Sequence, residues 1–256
     1  MAYLISVVNQ KGGVGKTTTA INLATYLALN GRFVLLVDLD PQANATSGLG
    51  VDHNQVEAGV YEAILGERTM SEVVRKSNVD GLSLVPSTMA LAGAEVELVE
   101  MDRREYRLAD SLAEIRNNFD YIIIDCPPSL SLLTINGLAA SDRVLIPVQA
   151  EYYALEGLSK LVRTIDLVKR GLRPELEVMG AVLTMFDSRN KLANDVLHEL
   201  YKFFPNKIFR SVVPRNVRLA EAPSFGQPIV KYDPWSKGAK AYERLAREVL
   251  DLEQIL

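Results

Sequence analysis

The sequence has few of the residues on which redox, metal-binding and secreted proteins depend. Its 256 residues include one cysteine and two histidines. Cys126 alone cannot form a disulfide within the chain, a zinc site or an iron–sulfur site. No apolar run approaches the roughly 18 residues of a membrane span. The N-terminus also lacks the basic region and cleavage site of a signal peptide, so we expect a cytoplasmic protein.

Net charge is small, but its distribution along the chain is uneven. The formal charge of -4 argues at first against a nucleic-acid partner. Residues 187–248 nevertheless hold 12 basic and 7 acidic residues, whereas the rest of the chain holds 16 basic and 25 acidic residues. The chain therefore divides into an acidic body and a basic segment, residues 187–248, with a net charge of +5. A cationic surface is expected on the basic segment.

Short apolar runs alternate with amphipathic stretches along the chain. This alternation predicts an α/β fold with a doubly wound, mostly parallel β-sheet flanked by helices, and with ligands at the carboxyl ends of the strands. The apolar run at residues 33–37 indicates a strand that is buried on both faces. Because no Pro/Gly/Ser-rich linker or internal repeat interrupts the pattern, we expect a single domain over residues 1–256.

The individual elements follow from the same pattern. The predicted strands are Leu4–Val8, Phe33–Val37, Leu82–Val85, Tyr121–Ile124, Val144–Val148, Val178–Thr184 and a short one near Lys207–Arg210. The predicted helices are Thr17–Leu29, Val60–Leu65, Asp102–Asn117, Ser131–Ala140, Leu155–Lys169, Leu192–Phe203 and Ala239–Leu252.

A glycine-rich loop, which we call the phosphate loop, lies between the first predicted strand and the first predicted helix. Its residues 9–18 read NQKGGVGKTT. Small residues let consecutive backbone N–H groups surround a phosphate, and the helix N-terminus adds a positive dipole end. Lys16 is expected to reach the β/γ-phosphates, and the Thr17 hydroxyl to ligate Mg²⁺. A plain glycine-rich turn is the alternative, and the strand and helix on either side argue against it.

The phosphate loop departs from the strict P-loop pattern at its start. That pattern places glycine at position 10, where this chain has Gln10, and Lys11 follows. Lys16 points into its own loop, whereas Lys11 lies at the outer edge. We expect the charge of Lys11 to project toward a phosphate held by a second molecule.

Acidic residues follow two of the predicted strands. Asp38 and Asp40 come after the second strand, and Asp125 comes after a run of apolar residues in the Walker B pattern. Carboxylates at this edge of a sheet can hold Mg²⁺ through its water shell. Asp40 can reach the attacking water if the strand persists. Each acid could instead cap the turn at Pro41 or Pro127, and spacing alone does not divide the roles between Asp38 and Asp40.

These motifs resemble those of a known family. The strings KGGVGKTT at 11–18, DLDPQ at 38–42 and IIIDCPP at 122–128 are similar to those of the deviant Walker A ATPases. More closely, the chain resembles the ParA/Soj proteins that partition bacterial chromosomes and plasmids. The likeness runs nearly end to end and includes residues 44–47, 91–95, 147–157, 213–218 and 232–234.

The resemblance implies a P-loop ATPase that acts as a switch with ATP and Mg²⁺ as cofactors. In this family two subunits form a homodimer with ATP at the interface, and the dimer binds double-stranded DNA without sequence preference. A ParB-type partner then stimulates hydrolysis and releases the DNA. We therefore expect a cytoplasmic protein associated with the nucleoid.

The resemblance also implies residue roles. The catalytic residues would be Lys11, which reaches the opposite subunit's phosphates, Lys16, and Asp40, which positions the attacking water. The metal site would comprise Thr17, Asp38 and Asp125. The ATP-binding residues would be Lys11, Gly12, Gly13, Val14, Gly15, Lys16, Thr17 and Thr18, with Pro214, Arg215 and Asn216 near the base.

DNA-binding candidates lie in the basic segment. Arg189 and Arg218 match arginines that relatives use to bind DNA. A further set is spaced 3, 4 and 3 residues apart, which places it along one face of the last helix. These residues are Lys237, Lys240, Arg244 and Arg247, and Tyr242, Leu245, Val249 and Leu252 are expected to pack the other face. A solvated surface that does not touch DNA is the alternative for this stripe.

Two related classes share the phosphate loop. A MinD-like membrane-surface positioning ATPase is the main alternative, but it ends in a basic amphipathic helix, whereas residues 249–256 are short and acidic. No membrane contact is therefore expected. A redox protein like the nitrogenase iron subunit needs two cluster-ligating cysteines per subunit, and this chain has one.

Overall fold

The computed structural model describes residues 2–151, 154–187 and 189–253. The strands in these ranges are β1 (Tyr3–Val7), β2 (Val34–Asp38), β3 (Arg75–Lys76), β4 (Leu82–Val85), β5 (Tyr121–Asp125), β6 (Arg143–Gln149) and β7 (Glu177–Thr184). The first helices are α1 (Lys16–Leu29), α2 (Asn44–Gly48), α3 (Val60–Leu65), α4 (Met70–Val73), α5 (Leu91–Glu97) and α6 (Arg107–Leu112). The others are α7 (Leu132–Ala140), α8 (Ala154–Gly171), α9 (Lys191–Phe203), α10 (Val217–Glu221), α11 (Ile229–Tyr232) and α12 (Lys237–Glu253).

The strands form one sheet in the order β3-β4-β2-β5-β1-β6-β7. Neighbouring strands are parallel except for the short pair β3 and β4. Helices cover both faces, so each strand contributes side chains to two cores. In β5, for example, Ile122 and Ile124 belong to one core cluster and Ile123 to the other. The predicted doubly wound α/β fold is therefore confirmed, and burial on both faces explains the unbroken apolar strands.

The strand register places the acidic residues together. Asp38 at the end of β2 is in register with Asp125 at the end of β5. Asp125 is also in register with Val7, the last residue of β1 before the phosphate loop. The loop and the two aspartates therefore meet at one edge of the sheet.

Two predicted elements differ from the structure. The predicted strand at Lys207–Arg210 is reduced to a single bridge between Ala181 and Ile208. The ladder does not continue because the next carbonyl along β7, that of Leu183, accepts from the Val213 N–H at 2.8 Å.

The predicted helix at residues 102–117 is shorter than expected, since α6 spans only Arg107–Leu112. Arg103 adopts a left-handed φ of 54°, which interrupts a helix at its start. The 3-10 turn at Arg116–Asn118 follows separately. Across the described ranges, no helix combines the length and apolar character needed to span a bilayer.

Candidate nucleotide site

The phosphate loop connects β1 to α1 and turns at two glycines. Gly13 and Gly15 have φ angles of 75° and 87°, in the left-handed region that favours glycine. Gly15 is the N-cap of α1 and has no side chain that could cap the helix. The first N–H groups of α1 are therefore left for an external acceptor, which is how a helix N-terminus binds an anion.

Lys16 begins α1 and folds its side chain back over its own loop. The residue is 6% exposed, and its Nζ donates a hydrogen bond to the Lys11 carbonyl oxygen at 3.1 Å. Burial lowers the pKa of Lys16, whereas the charges of Asp125 and Asp40 raise it. The ammonium group is thus close to both carboxylates, in a position to meet a phosphate held by the loop.

Asp125 is a fully buried carboxylate beside this lysine. Among the described residues, neither of its oxygens has a hydrogen-bonding partner. Burial and the charge of Asp38 raise the pKa of Asp125 well above its ordinary range, while the nearby Thr17 hydroxyl and Lys16 lower it. Because buried charges in proteins are paired or coordinate metals, these oxygens mark a position for a cation.

The residues present fit a magnesium ion that has few protein ligands. Mg²⁺ typically keeps several waters and takes one or two carboxylates together with substrate phosphates. Thr17 and Asp125 offer one hydroxyl and one carboxylate. In the part of the chain that the structure describes, no group of three or more His, Cys, Asp or Glu residues could hold a metal ion by itself. The site therefore suits an ion that arrives bound to a phosphate.

Asp38 organises the segment that follows β2. Its Oδ2 accepts hydrogen bonds from the N–H and the hydroxyl of Thr46, both at 2.7 Å. Its Oδ1 accepts a longer bond from the Asp40 N–H at 3.3 Å. Burial raises the pKa of Asp38 to about 6, and the bonds from Thr46 lower it. Asp38 thus holds residues 40–46 in place, and its role at a metal stays a prediction.

Asp40 lies just beyond the end of β2. It is 6% exposed, and its Oδ1 accepts a hydrogen bond from the Gln42 N–H at 3.0 Å. Ala43 then adopts a left-handed φ of 52°, which reverses the chain before α2. Asp40 is close enough to Lys16 for their charges to interact, and its role in orienting water stays a prediction.

Lys11 lies on the outer part of the phosphate loop, where it is paired within its own chain. Its Nζ is 2.8 Å from Glu151 Oε2, and the two side chains are 36% and 47% exposed. Gln149 Nε2 donates to the other oxygen of Glu151 at 2.5 Å. The bond from Lys11 lowers the pKa of Glu151. Lys11 thus forms an ion pair within its own chain here, and its reach toward a phosphate held by a second molecule stays a prediction.

A cavity of about 370 Å³ opens beside the phosphate loop. Gly15 and Thr18 line one side of it, and Pro214, Arg215 and Asn216 line another. The volume lies within the range of small-molecule pockets. The fold thus brings together the two predicted sets of nucleotide-binding residues, which are far apart in the sequence.

Two side chains that support the phosphate loop are not among the residues predicted from the sequence. Thr184 ends β7, and its hydroxyl donates to the Val14 carbonyl oxygen at 2.7 Å. Glu151 follows β6 and pairs with Lys11. Both residues lie at the carboxyl ends of strands, so the rule that pointed to the aspartates could also have identified them.

The two arginines predicted to bind DNA are already paired with acids of the same chain. Arg189 donates two hydrogen bonds to Asp187, at 2.9 and 2.7 Å. Arg218 forms ion pairs with Glu221 at 2.9 Å and with Asp233 at 3.5 Å. A phosphate that approached either arginine would compete with these carboxylates.

The predicted basic stripe is present on the surface of α12. Its exposed members are Lys237, Lys240, Arg244 and Arg247. The buried residues of the opposite face are Tyr242, Leu245 and Val249. Leu252, expected on the packed face, is 40% exposed. The stripe is therefore a real surface feature, and its contact with DNA stays a prediction.

A core hydrogen bond joins α12 to the helix that begins at the phosphate loop. The Thr19 hydroxyl on α1 and the Tyr242 hydroxyl on α12 are 3.1 Å apart and buried. Apolar residues of both helices belong to one core cluster. The basic stripe therefore lies on the outer face of a helix that packs against α1, the helix that follows the phosphate loop.

Known proteins are similar to this chain over most of its length. The family described as the AAA domain matches residues 2–178. The chromosome partitioning protein ParA of Myxococcus xanthus is 56% identical over 247 residues, covering 96% of this chain and 87% of that protein. The sporulation initiation inhibitor protein Soj of Bacillus subtilis is 53% identical over 249 residues, covering 97% of this chain and 98% of that protein.

A solved structure gives the same result for the fold. Cobyrinic acid a,c-diamide synthase from Mycobacterium smegmatis, with bound ADP and magnesium, superimposes with a TM-score of 0.88. It is 37% identical, and the match covers 99% of this chain and 96% of that chain. Since relatives that are more than half identical match almost the whole chain, the chain belongs to the ParA/Soj family of chromosome-partitioning ATPases.

Proposed function

We propose that this chain is an ATP-dependent DNA-partitioning switch with one ATPase domain over residues 1–256. It binds Mg-ATP, forms a nucleotide-sandwich homodimer, binds double-stranded DNA without sequence preference, and hydrolyses ATP when a ParB-type partner stimulates it. It acts in the cytoplasm, associated with the nucleoid. The observation that carries the proposal is the fully buried Asp125 carboxylate, which lies beside the Thr17 hydroxyl, Lys16 and the phosphate loop.

The nucleotide is held from three directions. Backbone N–H groups of residues 12–18 and the Lys16 ammonium bind the phosphates. Thr17 and Asp125 hold Mg²⁺, with Asp38 acting through water. Pro214, Arg215 and Asn216 line the cavity that receives the base. A related structure with bound ADP and magnesium supports the choice of nucleotide and metal.

Hydrolysis at such a site depends on positioning and electrostatics. Bound Mg²⁺ neutralises charge that develops on the phosphates. Lys16 adds a fixed cation, and Asp40 orients the water that attacks. Burial of Lys16 and Asp40, each 6% exposed, strengthens both effects because the local dielectric is low.

The dimer requires Lys11 to leave Glu151 and reach the phosphates of the opposite subunit. The present ion pair does not oppose this strongly, because exposed pairs are worth about 0–1 kcal/mol. A charged phosphate offers Lys11 a stronger partner than a solvated carboxylate does. The exchange therefore favours the sandwich once ATP is bound in both subunits.

DNA binding draws on the basic segment. Its net charge of +5 is local, so the overall charge of -4 does not prevent contact with phosphates. Arg189 and Arg218 are side chains that can exchange their acidic partners for DNA phosphates. A dimer presents two such surfaces, which makes DNA affinity depend on ATP.

The test is binding to unrelated duplex DNA with ATP, with ADP and without nucleotide, over a salt series. We expect binding only with ATP, and log affinity should fall with log salt at a slope of about 0.9 for each phosphate that the protein neutralises. Arg189→Ala with Arg218→Ala should weaken binding and flatten the slope. Arg170→Ala, an exposed arginine on α8, is the matched control and should change neither.

Two results would contradict the proposal. Equal DNA binding with ATP, with ADP and without nucleotide would show that ATP does not control DNA binding. Normal ATP affinity in Lys16→Ala would show that the phosphate loop does not bind the nucleotide as proposed. Sedimentation with anionic liposomes and ATP tests the MinD-like alternative in the same preparation, and we expect the protein to remain in the supernatant.

A further inference from the structure

One helix presents two apolar faces, of which only one packs against the core. In and just after α5, Leu91, Ala94 and Leu98 are completely buried. Helical hydrogen bonds begin before α5, since the Leu91 N–H donates to the Thr88 carbonyl oxygen. A 3-10 turn at Leu98–Glu100 extends the coil beyond it. Residues 88–100 therefore form one short helical rod on the surface.

The outer side of this rod carries large apolar side chains. Met89, Val96 and Val99 are 60%, 75% and 50% exposed. They are spaced 7 and 3 residues apart, so they lie on one face of a helix. Ala92 and Gly93 lie between them and leave the helix backbone accessible. We call these five residues the outer stripe.

Acidic side chains border the outer stripe. Residues 89–104 contain Glu95, Glu97, Glu100 and Asp102 against Arg103 and Arg104. Arg104 donates to the Val99 carbonyl oxygen at 3.2 Å, and Arg103 is paired with Asp110 at 2.9 Å. Glu97 is held beside the stripe by a hydrogen bond from the Tyr61 hydroxyl at 3.0 Å. The surface therefore combines an apolar line with a net negative border.

We infer that the outer stripe is the docking surface for a cationic amphipathic helix of a partner protein. Single exposed apolar residues are ordinary, but a line of them with helical spacing indicates an interaction surface. Small residues at 92 and 93 let a second helix approach closely along α5. The acidic border selects lysine and arginine on the flanks of that helix.

The same charges argue against other occupants. An anionic membrane would be repelled by the net negative charge of residues 89–104, which hold four acidic and two basic side chains. A second acidic body of this chain would meet like charge. A basic amphipathic helix would bury its apolar side chains on the outer stripe, and its basic side chains would be attracted to the acidic border.

The outer stripe is connected to the nucleotide site by hydrogen bonds. Ser87, two residues before Met89, donates its N–H to the Thr46 hydroxyl oxygen at 2.9 Å. The Thr46 hydroxyl in turn donates to Asp38 at 2.7 Å. A helix seated on Met89 therefore contacts a segment that is two hydrogen bonds from the carboxylate at the catalytic edge. This placement suits a partner that stimulates hydrolysis, and in that respect the inference rests on the proposed function.

A synthetic peptide tests the surface without any assumption about hydrolysis. The probe is a labelled helix of about 18 residues, five turns, with a leucine stripe flanked by lysine and arginine. A second peptide has glutamate in place of each basic residue. By fluorescence anisotropy with the full chain, we expect the cationic peptide to bind about tenfold or more tightly than the anionic one, with affinity falling as salt rises.

Matched variants locate the binding. Val96→Asp should lower affinity for the cationic peptide by about tenfold or more, because it places a charge in the apolar contact. Leu167→Asp on α8 is the control, since Leu167 is 61% exposed and outside the stripe. Glu100→Lys should reduce the preference for the cationic peptide by about two- to fivefold. Unchanged peptide binding in Val96→Asp, or no binding by the native chain, would overturn the inference.

The ParB-type partner protein provides the second readout. With native chain, ATP and DNA, Val96→Asp should lose stimulation of ATP turnover while basal turnover and DNA binding stay unchanged. If the partner does not stimulate ATP turnover in the native chain, that part of the proposed function is wrong. The peptide experiment still tests whether the outer stripe binds a cationic helix. If Val96→Asp instead abolishes the ATP-dependent dimer in light scattering, the stripe is covered by a second copy and the inference is wrong.

Discussion

Replacing Glu151 by glutamine should make the ATP-dependent dimer form at lower protein concentration. In the structure Glu151 holds Lys11 at 2.8 Å within one chain. The proposed dimer needs the same lysine for the phosphates of the other subunit. The carboxylate therefore competes with dimer formation, and its removal should favour the dimer. The glutamine keeps the side chain's size and an oxygen that can accept the bond from Gln149.

The size of the effect follows from the exposure of the pair. With side chains 36% and 47% exposed, each ion pair contributes about 0.2–1 kcal/mol. A dimer releases two such pairs, so the gain is about 0.4–2 kcal/mol. This corresponds to a dimer dissociation constant lowered by about twofold to thirtyfold. The affinity for ATP in the monomer should not change, because Glu151 does not line the cavity beside the phosphate loop.

The assay is analytical ultracentrifugation over a protein dilution series with a slowly hydrolysed ATP analogue. Glu243→Gln provides the control, since Glu243 forms an exposed ion pair with Arg247 at 2.6 Å on α12. That variant should leave the dimer constant unchanged. A weaker dimer in Glu151→Gln would show that the carboxylate supports the interface, and the competition argument would then be refuted.

Three further predictions concern the site itself. Lys11→Ala should bind ATP nearly as the native chain does but remain monomeric by light scattering. An ATP-dependent dimer in this variant would show that Lys11 is not needed to contact the phosphates of the opposite subunit. Asp40→Ala should bind ATP and dimerise without turnover in a phosphate-release assay, and undiminished turnover would assign the water to another acid. Asp125→Asn should raise the Tm of the nucleotide-free protein at neutral pH, by about 2–4 °C for each kcal/mol of relieved charge burial, and weaken Mg²⁺ binding. The raised pKa of Asp125 predicts this sign, because the folded state holds a proton that the unfolded chain releases as pH rises, so this carboxyl opposes folding at neutral pH. A lower Tm in Asp125→Asn would contradict it.

The edge of the sheet where the site lies could be predicted because parallel strands end together. Asp38 and Asp125 each follow an apolar run, and their common position needs no knowledge of distant contacts. The phosphate loop is similarly local, since its glycines set the turn by themselves. These features depend on periodicity and on backbone chemistry within a few residues.

Other features depend on interactions that no local pattern encodes. The partner of Lys11 is 140 residues away in the sequence. The hydrogen bonds from Thr46 to Asp38 depend on the turn at Ala43, which has a left-handed φ that alanine rarely adopts. The α5 helix was missed for a different reason. A surface helix is usually recognised by one apolar face opposite a polar face, whereas α5 has apolar residues on both faces.

The bond between Thr19 and Tyr242 constrains how ATP can act at a distance. Because α12 packs against α1 in a common core, we expect the basic stripe and the phosphate loop to move together. Under the proposed function, ATP would then raise DNA affinity by pairing two subunits, each with its own basic stripe, and not by rearranging α12. Once one subunit of the dimer is bound to DNA, binding of the other subunit to the same DNA becomes intramolecular. Its strength is then set by an effective concentration. Apparent DNA affinity should consequently depend on how much protein is present, and a dilute sample saturated with ATP should release DNA when its dimers separate.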